Sequence, residues 1–246
     1  MSDSAAVRPA DDGKRVAVKC ISVSRMFGSG LGAVAAVQEV TVTVRAGMRI
    51  ALTGPSGSGK STLLHLMAGL EAPTRGSVRW PGLGGCPLDR PGVLGMVFQG
   101  PSLIHALSVV ENVALSLVLA GADQDQAQQR ALGALERLGI RDLAGMLPEE
   151  LSGGQAQRVA VARVLACRPS LILADEPTGQ LDREAGERVV SVLLAAAEEL
   201  GAALVVATHD PAVARRLNQQ WWMVDGRLVV TSGKGTDGSA TGQDLE

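Results

Sequence analysis

The sequence predicts an α/β fold with a parallel central sheet, and three observations predict it. First, Arg49–Thr53 is a short β-type run that enters the turn Gly54-Pro55-Ser56-Gly57-Ser58-Gly59-Lys60-Ser61-Thr62, and a helical run at 61–68 follows, closed by Gly69. Second, Leu171–Asp175 is apolar until its terminal carboxylate, and residues 203–208 form another apolar run that ends at His209. Unbroken apolar runs of this length suit strands buried on both faces. Third, residues 101–150 lose strand character and read as helix, which implies a helical subdomain of about residues 101–165 inserted in the sheet core.

Taken in order, residues 1–14 are small, polar and acidic and are expected to be disordered. Residues 16–23 read as a strand. Residues 25–30 read as a Gly-rich loop carrying Phe27, and residues 40–44 alternate apolar and polar, as a half-buried antiparallel strand does. These strands predict a peripheral antiparallel β-subdomain. Residues 74–91 hold a further short strand and a Gly/Pro-rich loop, and residues 93–98 a strand followed directly by Gln99. Ser108-Val109-Val110-Glu111 is a capping box opening a helix that runs to Ala120 and stops at Gly121. Asp123 caps the next helix, whose Ala127, Ala131, Leu135 and Leu138 keep helical spacing until Gly139. Leu151-Ser152-Gly153-Gly154-Gln155 opens a helix through Ala166. Arg183–Leu200 is an amphipathic helix closed by Gly201, residues 221–230 form a hairpin turning at Asp225-Gly226, and residues 232–246 read as a loose tail. The folded domain is thus expected over residues 15–231.

Of the 246 residues, 46% are hydrophobic but only 2% aromatic, with no Tyr, so the core must be aliphatic. A net charge of −2 with interspersed signs excludes nucleic-acid binding through bulk charge. Cys20, Cys86 and Cys167 are an odd number and widely separated, which suits a reducing compartment. No apolar run approaches the roughly 18 residues that span a bilayer. The N-terminus is unlike a secretory signal, so a soluble chain is expected, reaching any membrane through a partner.

The turn at 54–62 matches Gly-x-x-x-x-Gly-Lys-Ser/Thr, a phosphate-binding loop. Gly54, Gly57 and Gly59 permit a tight turn whose N–H groups point inward at an anion. The helix start adds positive potential, Lys60 would reach the β- and γ-phosphates, and the Ser61 hydroxyl would face Mg²⁺. A nucleoside triphosphate is therefore the expected ligand. Asp175 and Glu176 end a buried strand, where a carboxylate points into the ligand crevice. Asp175 would hold Mg²⁺, and Glu176 would orient and polarise attacking water as general base. Ser152 to Gln155 make a second anion-binding helix start, one more than a single triphosphate needs.

The phosphate loop, Gln99, Leu151 to Gln155, Leu171–Asp175 with Glu176, and His209 together resemble the ABC-type ATPases, in order and over roughly residues 16–230. The resemblance implies the ABC ATPase fold: a P-loop NTPase core, a peripheral antiparallel sheet and an inserted helical subdomain. It implies ATP and Mg²⁺ as cofactors and a dimer in which each ATP lies between one subunit's phosphate loop and the other's Ser152, Gly153, Gly154 and Gln155. It further implies that Gln99 senses Mg²⁺ and water, that His209 contacts the γ-phosphate, and that Asp182 belongs to a loop crossing the dimer interface. Phe27 stands where the adenine-stacking Tyr is common, Gln180 replaces a smaller residue or Asn, and residues 79–94 are short for the family, so a trimmed peripheral sheet is expected. The residues around Phe27, Val97-Phe98-Gln99 and Glu111-Asn112-Val113 resemble the branch serving macrolide export, lipoprotein release and cell division. That branch implies a separate cytoplasmic ATPase, peripheral on the membrane through a permease, whose helix Ser102, Leu103 and Leu107 would receive. An importer ATPase for small solutes, or an ATP-dependent scaffold, shares the same motifs.

Overall fold

A computed structural model describes residues 15–231; the tails expected at 1–14 and 232–246 lie outside the described residues. Two sheets form the frame. The central one has strand order β5-β6-β7-β3-β8-β9, with β5 (Leu94–Val97), β6 (Leu171–Asp175), β7 (Ala203–Ala207), β3 (Arg49–Thr53) and β8 (Gln219–Val224) parallel and β9 (Arg227–Thr231) antiparallel at the edge. The other is antiparallel with order β2-β1-β4, formed by β1 (Val16–Phe27), β2 (Val34–Arg45) and β4 (Arg75–Arg79). Residues 80–93 add two 3-10 turns and no further strand, which leaves this sheet three-stranded.

Side-chain alternation along the buried strands divides the interior in two. Leu171 and Leu173 of β6, with Val205 of β7 and Ile50 and Leu52 of β3, face the core shared with the peripheral sheet and α1 (Lys60–Ala68). Ile172 and Ala174, with Leu204 and Val206, face the core shared with α2 (Val109–Leu119), α3 (Gln124–Arg137), α4 (Gly153–Ala166) and α5 (Arg183–Leu200). Strands buried on both faces need apolar residues at every position, which is why β6 and β7 are legible as continuous runs. The short helix α6 (Pro211–Ala214) follows β7, with Asp210 as its N-cap.

Two boundaries differ from expectation. β1 does not stop at Val23: Arg25, Met26 and Phe27 pair with Val37, Ala35 and Val34 of β2, so the expected loop at 25–30 begins only at Gly28, where φ is 77°. Bulges hide this continuity from local pattern, since Ser22 and Glu39 take positive φ and the alternation shifts phase there. β2 likewise extends well before Val40.

Candidate functional site

The parallel strands deliver their C-terminal ends to one place. β5 leads to Gln99, β6 to Asp175 and Glu176, β7 to His209, and β3 to the Gly54 turn. A cleft of about 500 Å³ opens there, lined by Ser56, Gly57, Gly59, Lys60, Ser61, Thr62, Gln99, Asp175, Glu176 and His209 among the residues named from sequence. Ala36 and Gly179 complete its wall.

Two glycines of the loop are fixed by close backbone approach. Gly54 has φ 144°, and a Cβ there would overlap the Met223 carbonyl oxygen; Gly59 has φ 100°, and a Cβ would overlap the Ala36 carbonyl oxygen and lie 2.8 Å from Met223 Cε. Gly57 has φ 77° but open space around a Cβ, so its requirement is conformational alone. Ala36 is the bulged residue left without a partner where β1 steps from Arg25 to Met26, and the bulge brings its carbonyl to Gly59. The β8–β9 turn supports the other side, with Gly226 N–H donating to the Ser58 carbonyl at 3.1 Å.

Lys60 is only 8% exposed, and its Nζ donates to the neutral carbonyls of Gly54 (2.9 Å) and Pro55 (2.8 Å). A buried ammonium served by neutral partners favours an anion in reach. Ser58 Oγ is buried without a partner in the same loop.

Opposite the loop, Asp175 is 5% exposed. Glu176 holds φ 47°, an unusual conformation for its residue type, fixed by its N–H donating to the Ala207 carbonyl at 3.0 Å. Its side chain is 14% exposed, and its Oε2 lies 2.9 Å from Nδ1 of His209, which is 74% exposed. His209 can thus hold the Glu176 carboxylate while its own ring stays open to the cleft. Among the described residues, no group of three His, Cys, Asp or Glu could hold a metal ion by itself. The Ser61 hydroxyl, Gln99 amide and Asp175 carboxylate are hard oxygen donors on one cleft, and this set fits a Mg²⁺ ion that completes its shell with phosphate and water.

Gln99 follows a tightly held segment. The Gln157 side chain on α4 is 1% exposed and donates from Nε2 to the Phe98 carbonyl at 3.1 Å. Arg163, also on α4, donates to the carbonyls of Ser102 (2.9 Å) and Pro101 (3.3 Å). Asn112 on α2 accepts the Ile104 N–H and donates to the Ile104 and Leu107 carbonyls. The strand-to-helix connection after Gln99 is therefore tied to both α2 and α4. Nothing local in the sequence marked Gln157 or Ala36, because each acts through a partner distant in the chain.

Several named residues stand outside this cleft. Ser152 and Gln155 form a reciprocal capping box at the start of α4, while Gly154 lies against Leu181 and Gly153 near Gln180. Asp182 caps α5 through the Ala185 N–H at 2.8 Å and lines a separate groove between α5 and α6. Phe27 is 40% exposed at the end of β1, with the Arg25 guanidinium 4.7 Å from its ring centre. Within one chain the helix start at Ser152 is thus not part of the loop's cleft.

The ABC transporter family profile matches residues 37–179. The chain is 42% identical over 214 residues to the lipoprotein-releasing system ATP-binding protein LolD of Shewanella denitrificans, covering 84% of this chain and 92% of that protein. It is 38% identical over 226 residues to the protein of the same name from Bordetella avium, covering 89% and 98%. Among solved structures, the ATP-binding cassette MJ0796, a dimer in a post-hydrolysis state bound to ADP and phosphate, superposes with a TM-score of 0.81 at 35% identity, covering 88% of this chain and all of that one. With its family profile spanning residues 37–179 and relatives at about 40% identity over most of its length, this chain belongs to the ABC transporter family as one of its ATPase subunits.

Proposed function

We propose that the chain works as a LolD-like subunit: two copies enclose two MgATP, and hydrolysis drives a membrane permease of the lipoprotein-release type. The observation that carries the dimer is the separation of two anion-seeking elements. The Lys60 cleft and the Ser152 helix start lie apart in one chain, and a second copy brings them onto one triphosphate. In this reading Gly54 to Thr62 cradle the phosphates and Phe27 meets the adenine. Ser152, Gly153, Gly154 and Gln155 bind the partner's γ-phosphate, and Asp182 lies at the interface. Ser61, Gln99 and Asp175 hold Mg²⁺, which when bound neutralises charge on the phosphates. Glu176 takes the proton of the attacking water, and His209 keeps that carboxylate in place and reaches the γ-phosphate.

The 101–165 region is the helical subdomain of a 15–231 domain, and the permease docks where Ser102, Leu103 and Leu107 follow Gln99. The bonds from Asn112, Gln157 and Arg163 make that segment a stiff link between cleft and permease. Among the described residues no helix is long and apolar enough to cross a membrane. In this reading the permease holds the subunit at the cytoplasmic face. The test is Lys60→Ala in a MgATP titration. Loss of a charge-assisted donor should weaken binding by about 1.5–3 kcal/mol, or roughly ten- to 150-fold in Kd. Unchanged affinity contradicts the phosphate-loop assignment.

A further inference from the structure

Phe27 has one ring face occupied by its own chain. The Arg25 guanidinium sits 4.7 Å from the ring centre, and its Nη2 pairs with Glu71 Oε2 at 2.7 Å. Arg25 Nε is shielded from solvent without a hydrogen-bond partner, so the ring and Glu71 are what hold the guanidinium. Glu71 in turn follows the end of α1, its N–H donating to the His65 carbonyl at 3.3 Å. The chain of contacts therefore runs from the ring through Arg25 and Glu71 to the helix that the phosphate loop opens. The strand behind the ring is fixed as well, by Met26 N–H to Thr74 Oγ1 at 3.1 Å and Thr74 N–H to the Ser24 carbonyl at 2.8 Å.

We propose that Arg25 is a positioning residue for the nucleotide base: clamped by Glu71, it backs one face of Phe27 and presents the other to the adenine at a fixed distance from the phosphate cradle. This rests on the reading of Phe27 as the base platform. Arg25 touches the ring and not the base, so it acts on the adenine and leaves the phosphates alone. A free phenyl ring at 40% exposure would lose side-chain freedom on stacking; a ring already held loses less, and binding tightens accordingly. The backing cation also holds the ring through its quadrupole, an interaction that corresponds to about two- to fivefold in affinity at partly exposed sites.

The test compares ATP with inorganic tripolyphosphate by calorimetry on the full chain. Arg25→Met should weaken ATP about two- to fivefold and leave tripolyphosphate unchanged, with Arg25→Lys and Glu71→Gln falling between wild type and Arg25→Met. Phe27→Leu should lower the ATP-to-tripolyphosphate ratio further, and Arg25→Met should add nothing in that background. If Phe27→Leu shifts the ratio and Arg25→Met does not, the clamp is wrong while the platform stands. If Phe27→Leu leaves the ratio unchanged, both are wrong. If Arg25→Met tightens ATP, the guanidinium occupies the face that the base needs, and the proposal is overturned.

Discussion

Replacing Gly59 by alanine tests whether the phosphate loop is held by close contact with the peripheral sheet. Gly59 has φ 100° and ψ 8°, a left-handed conformation that disfavours a side chain by roughly 1–2 kcal/mol. Its Cβ would also enter the Ala36 carbonyl oxygen, with the Ala36 carbonyl carbon at 3.2 Å and Met223 Cε at 2.8 Å. The methionine end can swing away, but the carbonyl belongs to β2 backbone and Gly59 to the start of α1. Relief requires moving one element against the other, which adds overpacking of about 1–3 kcal/mol. Gly59→Ala should therefore lose about 2–5 kcal/mol in urea unfolding. Gly57→Ala is the control: φ is 77° but a Cβ meets nothing within 4 Å, so only the roughly 1–2 kcal/mol conformational part applies. Both variants should bind ATP weakly, because both turn loop N–H groups away from the phosphates. Equal stability losses in the two variants would refute the contact between Ala36 and Gly59 and with it the account of how β2 braces the loop.

Two further outcomes follow. Ser152→Arg should keep ATP binding to the single chain and abolish hydrolysis, while the lost cap lowers stability by about 1 kcal/mol. Ser152→Asp keeps the cap and still opposes the partner's phosphate, so hydrolysis should fall without the stability loss; normal turnover in both variants would contradict the shared site. Burial pushes the Cys20 thiol up to about 12 and raises Cys167 as well, so at pH 8 both hold little thiolate. In native protein Ellman's reagent should modify Cys86 first, with Cys20 reacting only on unfolding, and rapid native labelling of Cys20 would contradict the buried β1 packing.

The legible parts of this fold were those whose cause is local. The helix Arg183–Leu200 is readable at both ends because Asp182 supplies the cap and Gly201 the left-handed stop. Ser108 with Glu111 forms the box that its spacing announces, and α4 opens at Ser152 as expected, with a box to Gln155 that the structure adds. Leu171 to Ala174 of β6, up to the terminal carboxylate, and the neighbouring β7 needed apolar residues throughout, since each strand faces two cores. The illegible parts depend on partners far along the chain. The extension of β1 through Phe27 follows from pairing across bulges at Ser22 and Ala36, where alternation shifts phase. The backing of Phe27 by Arg25 needs Glu71, and the bond from Gln157 to Phe98 spans 59 residues. The residues of the loop, with Asp175 and Glu176, could be gathered from sequence because they stand at the C-terminal ends of strands and parallel strands bring those ends together, whereas Gln99 and His209, which line the same cleft, were named only through the resemblance to the ABC-type ATPases. Ala36 could not, since a small residue inside a strand carries no sign that its carbonyl will meet a glycine.

The measurement that tests the central claim most directly is the oligomeric state of Glu176→Gln in MgATP. Gln keeps the shape at Glu176 and its reach to His209 while removing the charge and the basicity, so both phosphate cradles survive and water activation fails. ATP held across the interface binds only the dimer, and mass action favours that dimer while ATP is not consumed. Glu176→Gln with MgATP should elute from size exclusion as a dimer, wild type with spent ATP as a monomer, and the Glu176→Gln, Lys60→Ala double variant as a monomer in MgATP. Dilute wild-type turnover should also rise faster than linearly with protein concentration. A Glu176→Gln chain that stays monomeric at saturating MgATP, beside a wild type whose rate is linear in concentration, would contradict the claim that two copies build each site.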